Sequence, residues 1–219
     1  DGNVGIGTTS PGVELDIKKV SNDYPLRIGS EQGSGKAMVF ADVHSSPTKY
    51  NWLVGSQYTV NNGFEITPST AVGGYTFSNP GIVVLNTGNV GIGQTNPLEK
   101  LHVDGAIRIN GVSTLETAAT TLATTTQSAI DTFALTKFRS CKYVIQATDT
   151  VSNEYQITEA LLIHDGSTAY VSVYGIVMTG SAELFTLDAD TNSGNARLLA
   201  TGASTNSTQY KVIRQSMLV

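Results

Sequence analysis

The sequence has few charged residues and a single cysteine. Only 14% of its 219 residues are charged, whereas about a quarter is typical of soluble globular domains. Uncharged polar residues must therefore cover most of the surface, a composition that favours proteins working outside cells. Because Cys141 is alone, no disulfide can form within the chain and no thiolate cluster can bind a metal.

Two interpretations of Cys141 follow from its neighbours. Arg139 and Lys142 flank the thiol, and nearby cations favour a reactive thiolate. However, Cys141 also begins an alternation in which every second residue is apolar, as in a strand with one buried face. We expect Cys141 to be a small core residue.

Long apolar runs and clustered positive charge are also missing. No run of 18 apolar residues occurs, so no membrane-spanning segment is predicted. The net charge is −5, and no row of cations is present to neutralise phosphates, which argues against a nucleic-acid partner. No signal peptide is recognisable, and the chain starts inside a repeated phrase. We therefore expect a piece of a longer protein, or a mature product.

The motifs of common catalytic and cofactor sites are absent. Gly91-Ile92-Gly93 lacks the third glycine of a dinucleotide fingerprint, and no phosphate-binding Gly-Lys-Ser/Thr occurs. No Gly-x-Ser-x-Gly elbow is present. The sequence thus predicts no enzymatic activity, no catalytic residue, no cofactor and no metal site. Carboxylate pairs for sugar cleavage stay open, since they meet only in the fold; the conceivable members are Glu14, Asp16, Asp42, Glu65, Asp104, Glu154, Glu159 and Glu183.

Two other segments resemble functional sites only in part. The run from Asp188 to Gly194 spaces its oxygen ligands like the start of a calcium loop, but Leu199 stands where a bidentate Glu is needed. We predict a polar turn there. His164 precedes Asp165 at the end of an apolar strand, and adjacent strand residues point to opposite faces. We predict a strand-end histidine and no catalytic dyad.

A glycine-rich phrase occurs twice, as GNVGIGTTSP over residues 2–11 and as GNVGIGQTNP over residues 88–97. An apolar pair follows each copy at the same offset, Leu15/Ile17 and Leu101/Val103. Repeats of this kind suit an elongated, modular object, because each unit stacks on the next with the same backbone chemistry.

Short apolar runs separated by turn residues predict an all-β protein with β-sandwich-like domains. Asn62-Gly63 and Asp165-Gly166 are hairpin signals. We divide the chain into a β-rich stalk or knob unit over residues 1–110, a Thr/Ala-rich connector over 111–136, and a C-terminal β-sandwich over 137–219. The last unit includes Ala169 to Met178, which is apolar on both faces, so we expect both faces to be covered.

The connector allows two interpretations. A short helix that is stable only in an oligomer is one, because apolar and small residues recur there at spacings of four and three. A linker leading into a strand near Ala129 is the other. The recurring residues are Leu115, Ala119, Leu122, Thr126, Ala129, Phe133 and Thr136.

Tyr50, Trp52 and Tyr58 form an aromatic cluster in one hairpin-like region. Exposed aromatic side chains often bind sugar rings or protein partners. We predict these three as receptor-binding residues, although packing in the core explains them equally well.

The repeated phrase resembles a repeat of the tail fibres of tailed bacteriophages. The C-terminal block is similar to the terminal domain of virion structural proteins of phages with marine and cyanobacterial hosts. The residues that carry this second similarity are Phe138 to Tyr143, Leu161 to Gly166, Arg197 to Ala200 and Lys211 to Arg214.

The resemblance implies a homotrimeric fibre protein of the virion, attached to other baseplate, tail or capsid proteins. It implies host attachment through multivalent binding of a cell-surface glycan or protein, without insertion into the membrane. It brings no catalytic residues. Two alternatives remain open, a glycan-degrading tailspike enzyme and a purely architectural component of the baseplate or capsid.

Overall fold

The computed structural model describes residues 2–6, 8–11, 15–17, 36–41 and 48–219. Every regular element within these ranges is a β-strand, which confirms the predicted all-β class. The strands are β1 (Val4–Ile6), β2 (Leu15–Ile17), β3 (Lys36–Phe40), β4 (Tyr50–Ser56), β5 (Gly63–Val72), β6 (Ile82–Leu85), β7 (Val90–Ile92), β8 (Leu101–Val103), β9 (Ile107–Ile109), β10 (Ser113–Leu122), β11 (Ser128–Ala134), β12 (Phe138–Asp149), β13 (Glu154–His164), β14 (Ala169–Met178), β15 (Phe185–Asn192), β16 (Asn195–Gly202) and β17 (Thr208–Leu218). Leu26-Arg27-Ile28, one of the short apolar runs from which strands are predicted, lies outside the described residues.

The chain divides into two compact units, residues 1–104 and residues 105–219. The first unit contains a six-stranded sheet in the order β3-β4-β5-β6-β7-β8. Neighbouring strands run antiparallel, except for the parallel pair β7 and β8. Asn62 has φ 60° at the turn between β4 and β5, as the Asn-Gly hairpin signal predicts.

Both copies of the repeated phrase fold into the same structure. β1 pairs with β2, and β7 pairs with β8, in parallel and with the same offset, so that Val4 faces Leu15 and Val90 faces Leu101. We call this unit the parallel arch. The Asn3 amide donates to the Pro11 carbonyl at 3.4 Å, and the Asn89 amide donates to the Pro97 carbonyl at 3.1 Å. The repeat in sequence is thus a repeat in structure.

The second unit is a two-sheet sandwich. Its larger sheet has the order β14-β13-β12-β17-β10-β9, and its smaller sheet has the order β11-β16-β15. One face of each sheet lines a shared core, in which Phe185 and Tyr210 meet edge to face at 5.3 Å between ring centres. The buried members include Ile130, Phe133, Tyr143, Ile145, Leu162, Leu198 and Val212. The larger sheet's other face, here called the outer face, is not covered by the smaller sheet.

The helical interpretation of the connector is wrong. β10 occupies Ser113 to Leu122 and pairs with β17 at all ten positions, and β11 begins at Ser128. β-Branched threonine loses rotamer freedom in a helix and suits a pleated surface. The spacing of four and three residues therefore did not produce a helix, because β17 pairs with β10 over its whole length.

Candidate functional site

The structure brings two of the three predicted receptor residues together. Tyr50 and Trp52 lie on one side of β4, each about half exposed. Trp52 stands between Phe40 of β3 and Pro68 of β5. Tyr58 lies beyond the end of β4. The predicted receptor site thus consists of an aromatic pair and one separate residue, and its role stays a prediction.

Tyr58 belongs to a loop that a buried carboxylate holds in place. Its ring packs edge to face on buried Phe77 at 6.3 Å between ring centres. Glu65 is fully buried, and its Oε1 accepts the backbone N–H groups of Tyr58, Thr59 and Val60 at 3.0, 2.5 and 3.2 Å. Its Oε2 accepts the hydroxyl groups of Thr59 and Thr67 at 2.5 and 3.0 Å. Glu65 therefore positions this loop.

The outer face of the second unit carries aromatic and polar side chains that sequence reasoning did not group together. Tyr170 and Tyr174 of the edge strand β14 are each about half exposed. Lys142 and Glu159 form an ion pair at 3.1 Å between β12 and β13, and both are partly exposed. Sequence spacing could not reveal this group, since its members come from three strands whose register is set only in the sheet.

Hydrogen bonds among these side chains shift the pKa values of Lys142 and Glu159. The hydrogen bond with Glu159 raises the pKa of Lys142, and the bond with Lys142 lowers the pKa of Glu159. Hydrogen bonding to the Tyr174 side chain shifts both pKa values in the same directions. The three groups therefore form one hydrogen-bonded cluster, here called the Lys142 cluster.

A groove of about 440 Å³ includes Lys142 in its lining. Strands β12, β13, β14 and β17 contribute its other residues. Those used here are Leu161, Ile163, Tyr170, Ser172, Gln215 and Met217. An aromatic ring, apolar walls and a few convergent polar groups are typical of small-ligand sites and suit a sugar ring, which has apolar C–H faces and hydroxyl edges.

A second charged group lies on the inner side of the same sheet and is structural. Arg214 is buried and ion-paired with Asp131 at 2.5 Å and with Glu116. The Tyr143 hydroxyl donates to Asp131 at 2.8 Å. These charges are paired inside the sandwich, so we assign them to the core.

Cys141 and His164 are also core residues. Burial raises the pKa of the Cys141 thiol to about 12, so it is no nucleophile at neutral pH. His164 is buried, and its Nε2 lies 2.6 Å from the Phe138 carbonyl. Asp165 instead accepts the backbone N–H groups of Ser167 and Thr168 in the turn. The expected alternation is confirmed for both segments.

The Asp188 to Gly194 segment ends one strand and makes a turn. Asp188 and Asp190 lie in β15, and Asp190 pairs with Arg197 of β16. Ser193 and Gly194 have positive φ, as a tight turn requires. Among the described residues, no group of three or more His, Cys, Asp or Glu is arranged to hold a metal ion. Nor does any helix in the described part reach the length and apolarity needed to span a membrane.

Two of the candidate carboxylates for sugar cleavage are engaged by other groups in the structure. Glu65 is fully engaged in hydrogen bonds, and Glu159 belongs to the Lys142 cluster. Glu14 and Asp42, as well as the side chain of Asp16, lie outside the described residues.

Comparison with known proteins gives similarity to phage tailspikes only at the level of structure. No protein-family model and no curated protein matches the chain. The tailspike protein gp49 of Acinetobacter baumannii bacteriophage Fri1, a capsular polysaccharide depolymerase, matches 52% of this chain at 18% identity and a TM-score of 0.34. The tailspike of Acinetobacter baumannii phage AM24 matches 48% at 11% identity and a TM-score of 0.30. The tailspike of Acinetobacter phage vB_ApiP_P1 matches 48% at 15% identity and a TM-score of 0.29. These matches span 20%, 26% and 22% of the three tailspike chains.

The prediction that the chain is not an enzyme is contradicted by these similarities, because gp49 is itself a depolymerase. Absent sequence motifs were the basis of that prediction. Carboxylates that act on sugars have no fixed spacing in the sequence, so the absence of a motif does not exclude them.

Proposed function

We propose that this chain is a segment of a bacteriophage tail fibre or tailspike that works as a homotrimer and binds a polysaccharide of the host surface. The observation that carries the proposal is the parallel arch. A phrase resembling a tail-fibre repeat occurs twice, and both copies adopt the same register and the same Asn-to-Pro hydrogen bond. Modular repetition of this kind suits a rod-like appendage.

The outer face of the second unit supports polysaccharide binding. Tyr170 offers an exposed ring beside a groove, and the Lys142 cluster supplies charged hydrogen-bonding groups next to it. A single site of this size binds a sugar weakly. Several copies on one assembly bind a repetitive polysaccharide far more tightly, because each further contact becomes intramolecular.

The test is binding of the full chain to purified capsular polysaccharides and lipopolysaccharides from a panel of bacteria, with new reducing ends assayed in the same incubation. We expect binding to at least one of them. Tyr170→Ala combined with Tyr174→Ala should weaken it at least about tenfold, since central aromatic contacts contribute roughly 2 kcal/mol. Release of reducing ends would identify the chain as a glycan-degrading tailspike.

Two control variants distinguish a binding site on the outer face from one in the first unit. Tyr75→Ala removes an equally exposed tyrosine in the first unit and should leave binding unchanged. Tyr58→Ala probes the receptor residues predicted from sequence, and a loss there in place of the outer face would move the site to the first unit. A chain that binds no polysaccharide but occupies a fixed position on the virion would be an architectural component.

A further inference from the structure

We infer that the six-stranded sheet of the first unit packs its exposed face against further copies of the same chain. The inference rests on the proposed function only in requiring assembly, and polysaccharide plays no part in it. Its basis is the pattern of side chains that the sheet's register produces on its two faces.

The exposed face is mostly apolar. Paired residues on neighbouring strands share a face, so the register defines rows of side chains across the sheet. One row contains Phe40, Trp52 and Pro68. Two longer rows run beside it: Met38, Val54, Ile66, Ile82, Ile92 and Val103, and then Lys36, Ser56, Phe64, Val84, Val90 and Leu101. We call these three rows the apolar face; Lys36, on the edge strand β3, is their one charged member.

The opposite face is the one that the chain itself covers, and it is largely polar. Asn51, Glu65, Thr67 and Ser69 are buried there together with Leu53 and Val83. Their polar atoms are hydrogen-bonded within the unit, as the Glu65 and Asn51 contacts show. An antiparallel sheet with one solvated face normally turns its apolar side inward and its polar side to water. Here the order is reversed, which indicates that another surface covers the apolar face.

The repeat identifies that surface as another copy of the chain. Val4, Ile6 and Leu15 of the first arch occupy the positions of Val90, Ile92 and Leu101 of the second, and all three are more than half exposed. Every copy of this chain therefore carries the same exposed apolar positions on both arches, and a second copy offers matching apolar surface to pack against.

The size of the apolar face fits a contact between chains. Six strands about 4.8 Å apart spread it over roughly 24 Å, and three rows of side chains give it a depth of roughly 20 Å. The resulting ~500 Å² is somewhat less than two thirds of the ~800 Å² that each partner contributes to a standard-size interface. The first arch adds more surface of the same kind.

Trp52 gives a direct measurement, because it is the single tryptophan of the chain and lies on the apolar face. The full chain is measured at micromolar concentration by light scattering and tryptophan fluorescence. We expect a mass that is a multiple of 23.1 kDa, a blue-shifted emission and weak quenching by iodide. On dilution, the emission should shift to the red as the mass falls to one chain.

A variant pair tests the face itself. Ile82→Asp places a charge in the middle row, and we expect it to weaken association at least about a hundredfold, because an unpaired charge would be buried. Val151→Asp changes a more exposed apolar residue in a turn of the second unit and should leave association unchanged. Circular dichroism checks that both variants fold.

The possible failures are distinguishable. An assembled chain whose Trp52 is freely quenched would overturn the inference and leave the proposed function standing. A chain that stays at 23.1 kDa with exposed Trp52 would overturn both the inference and the homotrimer. If Ile82→Asp does not fold, the Trp52 measurement on the unaltered chain decides alone.

Discussion

Arg214 of β17 forms an ion pair with Asp131 of β11 at 2.5 Å, although 83 positions separate the two residues in the chain. This contact joins the two sheets of the second unit, and Glu116 and Tyr143 complete it from β10 and β12. Buried charge of this kind contributes little net stability but is costly to leave unpaired.

Asp131→Ala should therefore destabilise the second unit by about 3–5 kcal/mol, because it leaves the Arg214 guanidinium buried with fewer partners. Urea unfolding followed by circular dichroism measures this change. Asp190→Ala is the matched control, since the Asp190–Arg197 pair is partly exposed. We expect it to cost no more than about 1 kcal/mol. Equal losses in the two variants would contradict the structural role of the buried pair.

Glu65 makes the first unit sensitive to acid. Burial acts to raise its pKa, but the hydrogen bonds from Thr59, Val60 and Thr67 outweigh burial and hold the pKa below its ordinary value of 4.5. A carboxylate with a lowered folded-state pKa stabilises the fold above the unfolded-state pKa, and this stabilisation is lost as pH falls through the folded-state value.

Glu65→Gln should remove this acid sensitivity and destabilise the 58–60 loop by about 1–3 kcal/mol, because an amide cannot accept all five hydrogen bonds. Hydrogen exchange of the loop amides at pH 7 and pH 4 measures both effects. Protection that is the same in the variant and the unaltered chain at pH 7 would argue against the positioning role of Glu65.

Gly91 is required by the parallel arch. A Cβ at this position would collide with the backbone carbonyl of Gln94, and the same holds for Gly5 and Thr8 in the first copy. A carbonyl in the backbone cannot swing aside as a flexible side chain can. Gly91→Ala should therefore lower the thermal unfolding temperature of the first unit by several degrees, corresponding to roughly 1–3 kcal/mol.

Gly81→Ala is the control for this substitution. A Cβ there would meet the Ile66 carbonyl at 3.7 Å, an ordinary contact distance. We expect its unfolding temperature to stay within about a degree of the unaltered chain, as is usual for a substitution that creates no clash. Scanning calorimetry of both variants compares them; a larger loss from Gly81→Ala would refute the steric explanation.

Cys141 should resist modification in the folded protein. Burial both blocks access and raises the thiol pKa to about 12, and only the thiolate reacts. Ellman's reagent at pH 8 should label less than a tenth of the protein within an hour and one thiol per chain in guanidinium chloride. Rapid labelling without denaturant would show that β12 is open to solvent.

Local patterns in the sequence predicted the elements whose cause is local. The Asn-Gly turn at Asn62 requires positive φ, the alternation from Cys141 to Ala147 marks one buried face, and the two glycine phrases form equivalent arches. Each of these features depends on residues within a few positions of one another. The same reasoning failed for residues 113–122, where small residues at spacings of four and three imitated a helical seam.

Composition and short-range spacing thus determined that this is a modular all-β chain with a core cysteine and without a thiolate metal centre. Only the tertiary structure decided which strands are neighbours, and therefore which side chains share a face. Lys142, Glu159 and Tyr174 meet because β12, β13 and β14 pair in one register, and the apolar face exists because five strand pairings align its rows. Register is a long-range property, since a shift by one residue turns every side chain of a strand to the other face.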